Sequence, residues 1–217
     1  LIVIILAAFV YAGTEFGWFD NVSLGPKPTP LPGDGLYVTF IDVGQGDSTL
    51  AVCNGETLLI DAGVPEAGSE VVEYLKSAGI TPDALATYAE APGADREKLR
   101  ELALNYVVCT HAHEDHAGGL DAVLESFEVG MLFAPYTEFD ASGSFTHFEN
   151  TAAELGLDIT VPPLGAEFTL GGAVFEFVGP VTDWGSDVND SSLVIRLDYG
   201  DDSFLFTGDI GSGPLSD

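Results

Sequence analysis

Apolar and polar positions after residue 35 fall into short alternating runs separated by stretches with three-to-four spacing. LYVTFID, Leu36 to Asp42, alternates and is rich in β-branched and aromatic residues, which predicts a strand entering the glycine-spaced loop Val43 to Asp47. Ser48 to Cys53 predicts a second strand, and Thr57 to Ile60 its hairpin partner, because Asn54-Gly55 tolerates the positive φ angles of a two-residue turn. Asp61-Ala62-Gly63 closes that strand. Ser69 to Ala78 then sets Val71, Val72, Leu75 and Ala78 on one face, an amphipathic helix stopped by Gly79. A helix across Asp95 to Leu104 and a short apolar strand from Tyr106 to Thr110 follow. Strand, helix and strand in this order imply a right-handed crossover within an α/β layer.

Beyond that point, Gly118 to Phe127 and Phe145 to Leu155 read as helices, with Gly130 to Phe133 and Ile159 to Val161 as the strands after them. The remainder is strand-rich. Glu167 to Leu170 and Ala173 to Val178 flank Gly171-Gly172, while Ser192 to Tyr199 and Ser203 to Thr207 flank Gly200-Asp201-Asp202, giving two more hairpins. The pattern shows no repeat at a solenoid period.

The start of the chain has a different texture. Residues 1–13, LIVIILAAFVYAG, carry no charge but are shorter than the ~18 residues a spanning helix needs. They read either as part of a membrane or export segment or as a buried first strand. Residues 14–35 end in the Pro/Gly-rich NVSLGPKPTPLPGDG, which discourages helix and sheet and suits a tether. Residues 36–217 form the domain, and the chain reads as a fragment. A membrane contact through the N-terminal segment, and a membrane-anchored or secreted, extracytoplasmic placement, are the corresponding expectations.

Composition narrows the partners. With 46% hydrophobic residues in 217, the chain has room for one real core. Six Lys and Arg against 35 Asp and Glu give a formal charge of −29, so the surface repels phosphate backbones wherever no metal or basic patch intervenes. Such acidity also suits a salty or extracytoplasmic setting. Cys53 and Cys109 are too few for a disulfide scaffold or a cysteine-based zinc site, and both read as buried thiols.

Ligand-type side chains concentrate in THAHEDHAGG, Thr110 to Gly119, directly after the strand ending at Thr110. Three of the chain's four histidines lie here. In an extended segment His111, His113 and Asp115 project to one side, with His116 adjacent. Neutral imidazoles and a carboxylate are zinc ligands, and four at one strand end suit two neighbouring ions better than one. Gly118 and Gly119 let the next helix pack closely. His147 stands apart from this group and reads as structural.

HxHxDH at His111 to His116 resembles the metal-binding motif of the metallo-β-lactamase superfamily. FIDVGQGDS from Phe40, LLIDAG from Leu58, NDSSLVIRL from Asn189 and FLFTGD from Phe204 resemble, in order, segments of the C-terminal hydrolase domain of ComEC-type competence proteins. The likeness spans about residues 36 to 210. It implies an α/β fold, the four-layer αββα sandwich, C-terminally truncated here because the family's HHGS segment would lie past Asp217. It also implies two Zn2+ ions, with His111 and His113 on the first, Asp115 and His116 on the second, and Asp209 bridging. Close relatives commonly carry Asp where this chain has His113, so the site leans toward the general superfamily form. Asp61 would orient a ligand histidine, or else be a strand-end turn residue. Where the superfamily supplies a further histidine this chain has Asn189-Asp190, so Asp190 is either a ligand or the start of an Asx turn. Asp42, Gln45 and Asp47 would sit beside the metals, with Asp47 accepting a ligand hydrogen bond, meeting substrate, or capping its strand.

Two zinc ions about 3.5–4 Å apart lower the pKa of a shared water toward ~7 and clamp both oxygens of an in-line displacement. The resemblance implies a phosphodiesterase or nuclease in which Asp115 orients that water or takes its proton, with DNA or another phosphodiester as partner. The alternatives are a hydrolase of a small ester, thioester or lactam, and a non-catalytic metal-binding module of a DNA-uptake system. The residues point to no protein partner.

Overall fold

The computed structural model describes residues 35–80, 104–139, 142–181 and 187–211. Residues 1–34, and the helix expected over 95–104 apart from Leu104, lie outside them. Strands β1 (Leu36–Phe40), β2 (Thr49–Cys53), β3 (Glu56–Ile60), β4 (Leu104–Val108), β5 (Val129–Phe133) and β6 (Ile159–Thr160) form one sheet in that order. The first three pair antiparallel, and β3 to β6 run parallel, as the strand-helix-strand pattern requires. The β2–β3 turn is made by Asn54 and Gly55 at φ of 48° and 89°, the backbone expected of that dipeptide. A second, wholly antiparallel sheet contains β7 (Glu167–Leu170), β8 (Ala173–Gly179), β9 (Val194–Tyr199) and β10 (Asp202–Phe206), in the order β10-β9-β8-β7.

Alternation along the first sheet feeds two cores. Leu50, Val52, Leu59, Val107 and Leu132 face α1 (Gly68–Ser77), α2 (Leu120–Ser126) and α3 (Gly143–Leu155), while Ala51, Leu58, Ile60, Val108 and Phe133 face the second sheet. Between the sheets, Phe133 meets Phe177 at a ring separation of 5.2 Å, and Phe168 stacks on Phe175 at 5.2 Å. The described residues therefore form a helix layer, a mixed sheet and an antiparallel sheet, the α/β class read from the pattern. Both cysteines are buried and free.

Element ends moved where side chains replace the ladder. The strand expected over Tyr106 to Thr110 spans Leu104–Val108, because past Val108 the amide of Thr110 bonds the Asp61 side chain instead of a neighbouring strand. The helix expected from Gly118 to Phe127 is α2, Leu120–Ser126, and it is preceded by a separate helical turn at Glu114–Ala117, with Gly118 and Gly119 between them. At Gly119 a Cβ would lie 2.3 Å from the Ala62 carbonyl oxygen and 2.9 Å from the Gly68 Cα, so only glycine lets α1 and the β3 end approach this closely. Ser142 caps α3 by accepting the Phe145 N–H, and Gly156 ends it at φ 72°.

Candidate metal centre

Strands β3 and β4 finish side by side, and their ends build the floor of the centre. Asp61 takes φ 57°, a left-handed backbone that Asp tolerates better than most residues, while its N–H still donates to the Val108 carbonyl at 2.9 Å. This turn folds the carboxylate back beneath Thr110. Asp61 Oδ1 accepts the Thr110 N–H at 2.7 Å, and Oδ2 accepts the Thr110 hydroxyl at 2.6 Å and lies 2.8 Å from His116 Nδ1. Asp61 and His111 are fully buried and His116 is 1% exposed.

The histidine segment is not extended throughout, contrary to the spacing argument. The N–H groups of His116 and Ala117 both bond the His113 carbonyl, so Asp115 and His116 ride on the helical turn, while His113 ahead of it has extended backbone. Gly46 makes this packing possible, since a Cβ there would sit 1.7 Å from the Asp115 carbonyl oxygen. The adjoining Asp47 N–H donates to that oxygen at 3.2 Å. Gln45 Nε2 donates to Asp115 Oδ2 at 3.3 Å, placing the glycine-spaced loop against the segment as the resemblance implied.

Asp209 arrives from the second sheet. Its N–H donates to the buried Ser192 hydroxyl at 3.2 Å, and its Oδ1 stands 3.5 Å from His116 Nε2. His111, His116 and Asp209 each offer one ligand atom within 4.8 Å of the others. His113 Nδ1 lies 3.1 Å from His111 Nε2, but His113 and Asp115, both expected as ligands, fall outside this convergent group. The Asp190 carboxylate accepts the Gly211 N–H at 3.1 Å, tying its turn to the segment after Asp209, while Asp187 makes the Asx bond to the Asn189 N–H. His147 is exposed and lines an open cavity of about 370 Å³ with Pro65, Glu114 and Asp121.

Three residues here were not singled out from sequence: Thr110, Ser192 and Tyr136, whose hydroxyl accepts the Ala112 N–H at 2.9 Å. The signal for Thr110 was present, a hydroxyl residue beside the first histidine at a strand end. Ser192 and Tyr136 carry none without the tertiary fold.

Charge in the centre is one-sided. Among the described residues the only Lys and Arg are Lys76 and Arg196, bonded to Glu73 at 2.9 Å and to Asp198 at 3.1 Å. Asp47, Asp61, Asp115 and Asp209 thus share their surroundings with imidazoles alone. Imidazole nitrogens and carboxylates converging with no Lys or Arg among the described residues beside them fit a divalent ion of the zinc type.

The histidines respond in opposite directions. Burial, with help from neighbouring His116, lowers the His111 pKa to about 4. At His116 burial acts the same way but is outweighed by the Asp61 hydrogen bond and by the carboxylates of Asp61, Asp209 and Asp115, and its pKa rises to about 9. Desolvation at the loop raises the Asp47 pKa, although the residue as a whole is exposed. For Asp115 burial is overcome by the Gln45 hydrogen bond, its own backbone and the two histidines, so its pKa falls.

These shifts set a pH profile for metal-free protein. His116, raised above the unfolded value of about 6.5, contributes stability that is complete below that pH and lost as pH climbs through about 9. His111, depressed, contributes stability complete above about 6.5 and lost as pH falls toward about 4. Thermal melts of chelator-treated protein are expected to show this pair's contribution falling away on both sides of about pH 6.5. A His116→Gln variant should lose the alkaline decline and keep the acid one.

The profile of the Metallo-beta-lactamase superfamily matches residues 41–214. Recombination protein 2 of Haemophilus influenzae is 29% identical over 172 residues, which are 79% of this chain and 18% of that protein. ComE operon protein 3 of Bacillus subtilis is 26% identical over 176 residues, 80% of this chain and 22% of its own, and is of the type the ordered motifs resemble. The chain spans about a fifth of the length of these curated relatives. Among solved structures, a metallo-beta-lactamase of Cronobacter sakazakii with a HARLDQ motif superposes at a TM-score of 0.50 and 14% identity, covering 86% of this chain and 66% of that one, a likeness of fold.

Proposed function

Because the chain belongs to the metallo-beta-lactamase superfamily, we propose that its domain is a dinuclear zinc hydrolase of the ComEC type that cleaves phosphodiesters. The observation that carries this reading is the approach of Asp209 Oδ1 to 3.5 Å from His116 Nε2, which joins one sheet's carboxylate to the other's imidazoles. His111 and His113 would hold one ion and Asp115 and His116 the other, with Asp209 between them. Bound zinc supplies Lewis acidity toward a phosphoryl oxygen and a lowered pKa for water.

The chain's own groups do the rest. The buried Asp61 carboxylate holds the His116 ring through Nδ1, which leaves Nε2 directed at Asp209. Gln45 donates to Oδ2 of Asp115 and helps keep that carboxylate ionised, with lone pairs left to accept a proton or meet an ion. Asp47, raised by desolvation, stands beside these groups at the rim, where an incoming substrate would pass. Asp190 secures the turn next to Asp209.

DNA or a smaller phosphodiester is the proposed substrate. The apolar residues 1–13, followed by the tether 14–35, would hold the domain at a membrane outside the cytoplasm. No described helix is long and apolar enough to cross one. The absence of a free Lys or Arg among the described residues favours a second reading, hydrolysis of an uncharged ester, thioester or lactam. Initial rates on a chromogenic phosphodiester and on a chromogenic lactam, with zinc content by elemental analysis, separate the two. Lactam turnover with no diester cleavage would overturn the proposal. Bound zinc with neither activity would favour a non-catalytic metal-binding module.

Salt gives a further expected outcome. Basic nucleases lose DNA affinity steeply with salt through counterion release. Here a formal charge of −29 and no free cation at the described site mean that added salt mainly screens repulsion. The KM for a short oligonucleotide is expected to stay level or fall between about 0.05 and 0.5 M salt, measured by steady-state kinetics. A rise of tenfold or more would reveal a basic contact surface elsewhere in the protein.

A further inference from the structure

Thr110 has four polar connections, all to groups that shape the centre. Its N–H donates to Asp61 Oδ1 at 2.7 Å, and its carbonyl accepts the Leu193 N–H at 3.0 Å. Its hydroxyl lies 2.6 Å from Asp61 Oδ2 and 3.1 Å from His111 Nδ1. A hydroxyl has one proton to give. Asp61 is ringed by donors, a backbone N–H, this hydroxyl and the His116 ring, and so takes the threonine proton at the shorter contact. The Oγ1 lone pair is then what faces His111, and His111 Nδ1 must supply the hydrogen.

We infer that Thr110 is a positioning residue that fixes His111 in its Nδ1–H tautomer, relaying to a second ring the orientation Asp61 gives His116 directly. The inference rests on the metal-centre reading. One carboxylate from the end of β3 thereby presets two histidines on the next strand's extension, with the bare Nε2 of His111 turned to the cluster and the Nε2 of His116 directed at Asp209. The space around Thr110 is closed to alternatives, because a Cβ on Gly208 would come within 2.9 Å of Oγ1 and His111 and Thr110 are buried. His113 behaves differently. Its contact with the cluster is through Nδ1, 3.1 Å from His111 Nε2, where it is placed to donate a hydrogen to that bare nitrogen.

The test is long-range 1H–15N correlation on the 15N-labelled full chain, stripped of metal by chelator near pH 7.5. The His111 ring, whose pKa is lowered to about 4, is neutral under these conditions. His111 is expected to show a pyrrole-type Nδ1 and a pyridine-type Nε2, with exposed His147 as the internal reference for an unconstrained ring. Thr110→Val keeps the shape and removes the acceptor. It should move His111 toward the Nε2–H tautomer and lower Zn2+ affinity, measured by chelator competition, by about 10- to 100-fold. Thr110→Ser should restore both. An Nε2-protonated His111 in wild-type protein, or a Thr110→Val variant with unchanged tautomer and affinity, overturns the inference. If Thr110→Val does not fold, the wild-type spectrum decides. Wild-type protein that takes up no Zn2+ would instead overturn the metal-centre reading, while its His111 spectrum still judges Thr110.

Discussion

Asp209→Asn is expected to reduce phosphodiester cleavage by about 10³-fold or more while leaving the fold intact. Asp209 is 44% exposed at the tip of the turn after β10, anchored through its N–H on Ser192, and its side chain adds nothing to either core. A surface change of this kind alters stability by no more than about 0.5 kcal/mol. The loss of rate therefore reports chemistry. Asparagine keeps the size and the turn preference but removes the charge that faces His116 Nε2 at 3.5 Å. Initial rates, urea midpoints and zinc content on one preparation give the answer. A variant with wild-type rate and zinc content would take Asp209 out of the centre, and with it the only group that the second sheet brings within reach of the histidines among the described residues.

Asp61→Ala should have the largest effect on stability of any single change at the centre, a loss of about 3–5 kcal/mol in urea unfolding. Alanine removes the acceptor for the Thr110 amide, the Thr110 hydroxyl and the His116 ring, all buried. Each orphaned donor costs about 1–3 kcal/mol, and alanine resists the φ of 57° that Asp accepts. Asp61→Asn separates structure from charge. It retains an acceptor oxygen and tolerates the left-handed backbone, so its stability loss should be markedly smaller, yet its neutral amide no longer favours a charged His116. The variant's His116 pKa, followed by NMR titration, is expected to fall below the value of about 9 that the carboxylate sustains. Equal stability loss in both variants would show that the negative charge and second acceptor of the carboxylate, which the isosteric amide lacks, carry the whole effect.

The strands were legible because their side chains answer to period two and their turns to Asn-Gly and Gly-Gly, signals carried by neighbouring residues. Thr57 to Ile60 and Glu167 to Leu170 are strands as expected. Strand ends were less legible, since Thr110 leaves the ladder to meet Asp61, a residue 49 positions away. The same limit applied to the histidine segment. Spacing alone treats HAHEDH as one extended edge, but the Gly46 backbone pressed against Asp115 and the His113 carbonyl taking two amides turn its second half into a helical turn. The motifs singled out His111, His113, Asp115, His116 and Asp209 as candidates, and the fold brings the ligand atoms of His111, His116 and Asp209 together. Which nitrogen each ring presents depends on hydrogen bonds that only the folded chain forms.

The centre's donors hang from different sheets, the imidazoles from an extension of β4 and the Asp209 carboxylate from the turn after β10. Elsewhere the two layers meet chiefly through phenylalanine and aliphatic packing, which resists pulling apart but is tolerant of sliding. An ion held at the rim, as proposed, would work as a clasp on that sliding motion. Its release and the loosening of the sandwich along one edge would become a single event, so depletion of metal would announce itself first as mechanical slack between the layers.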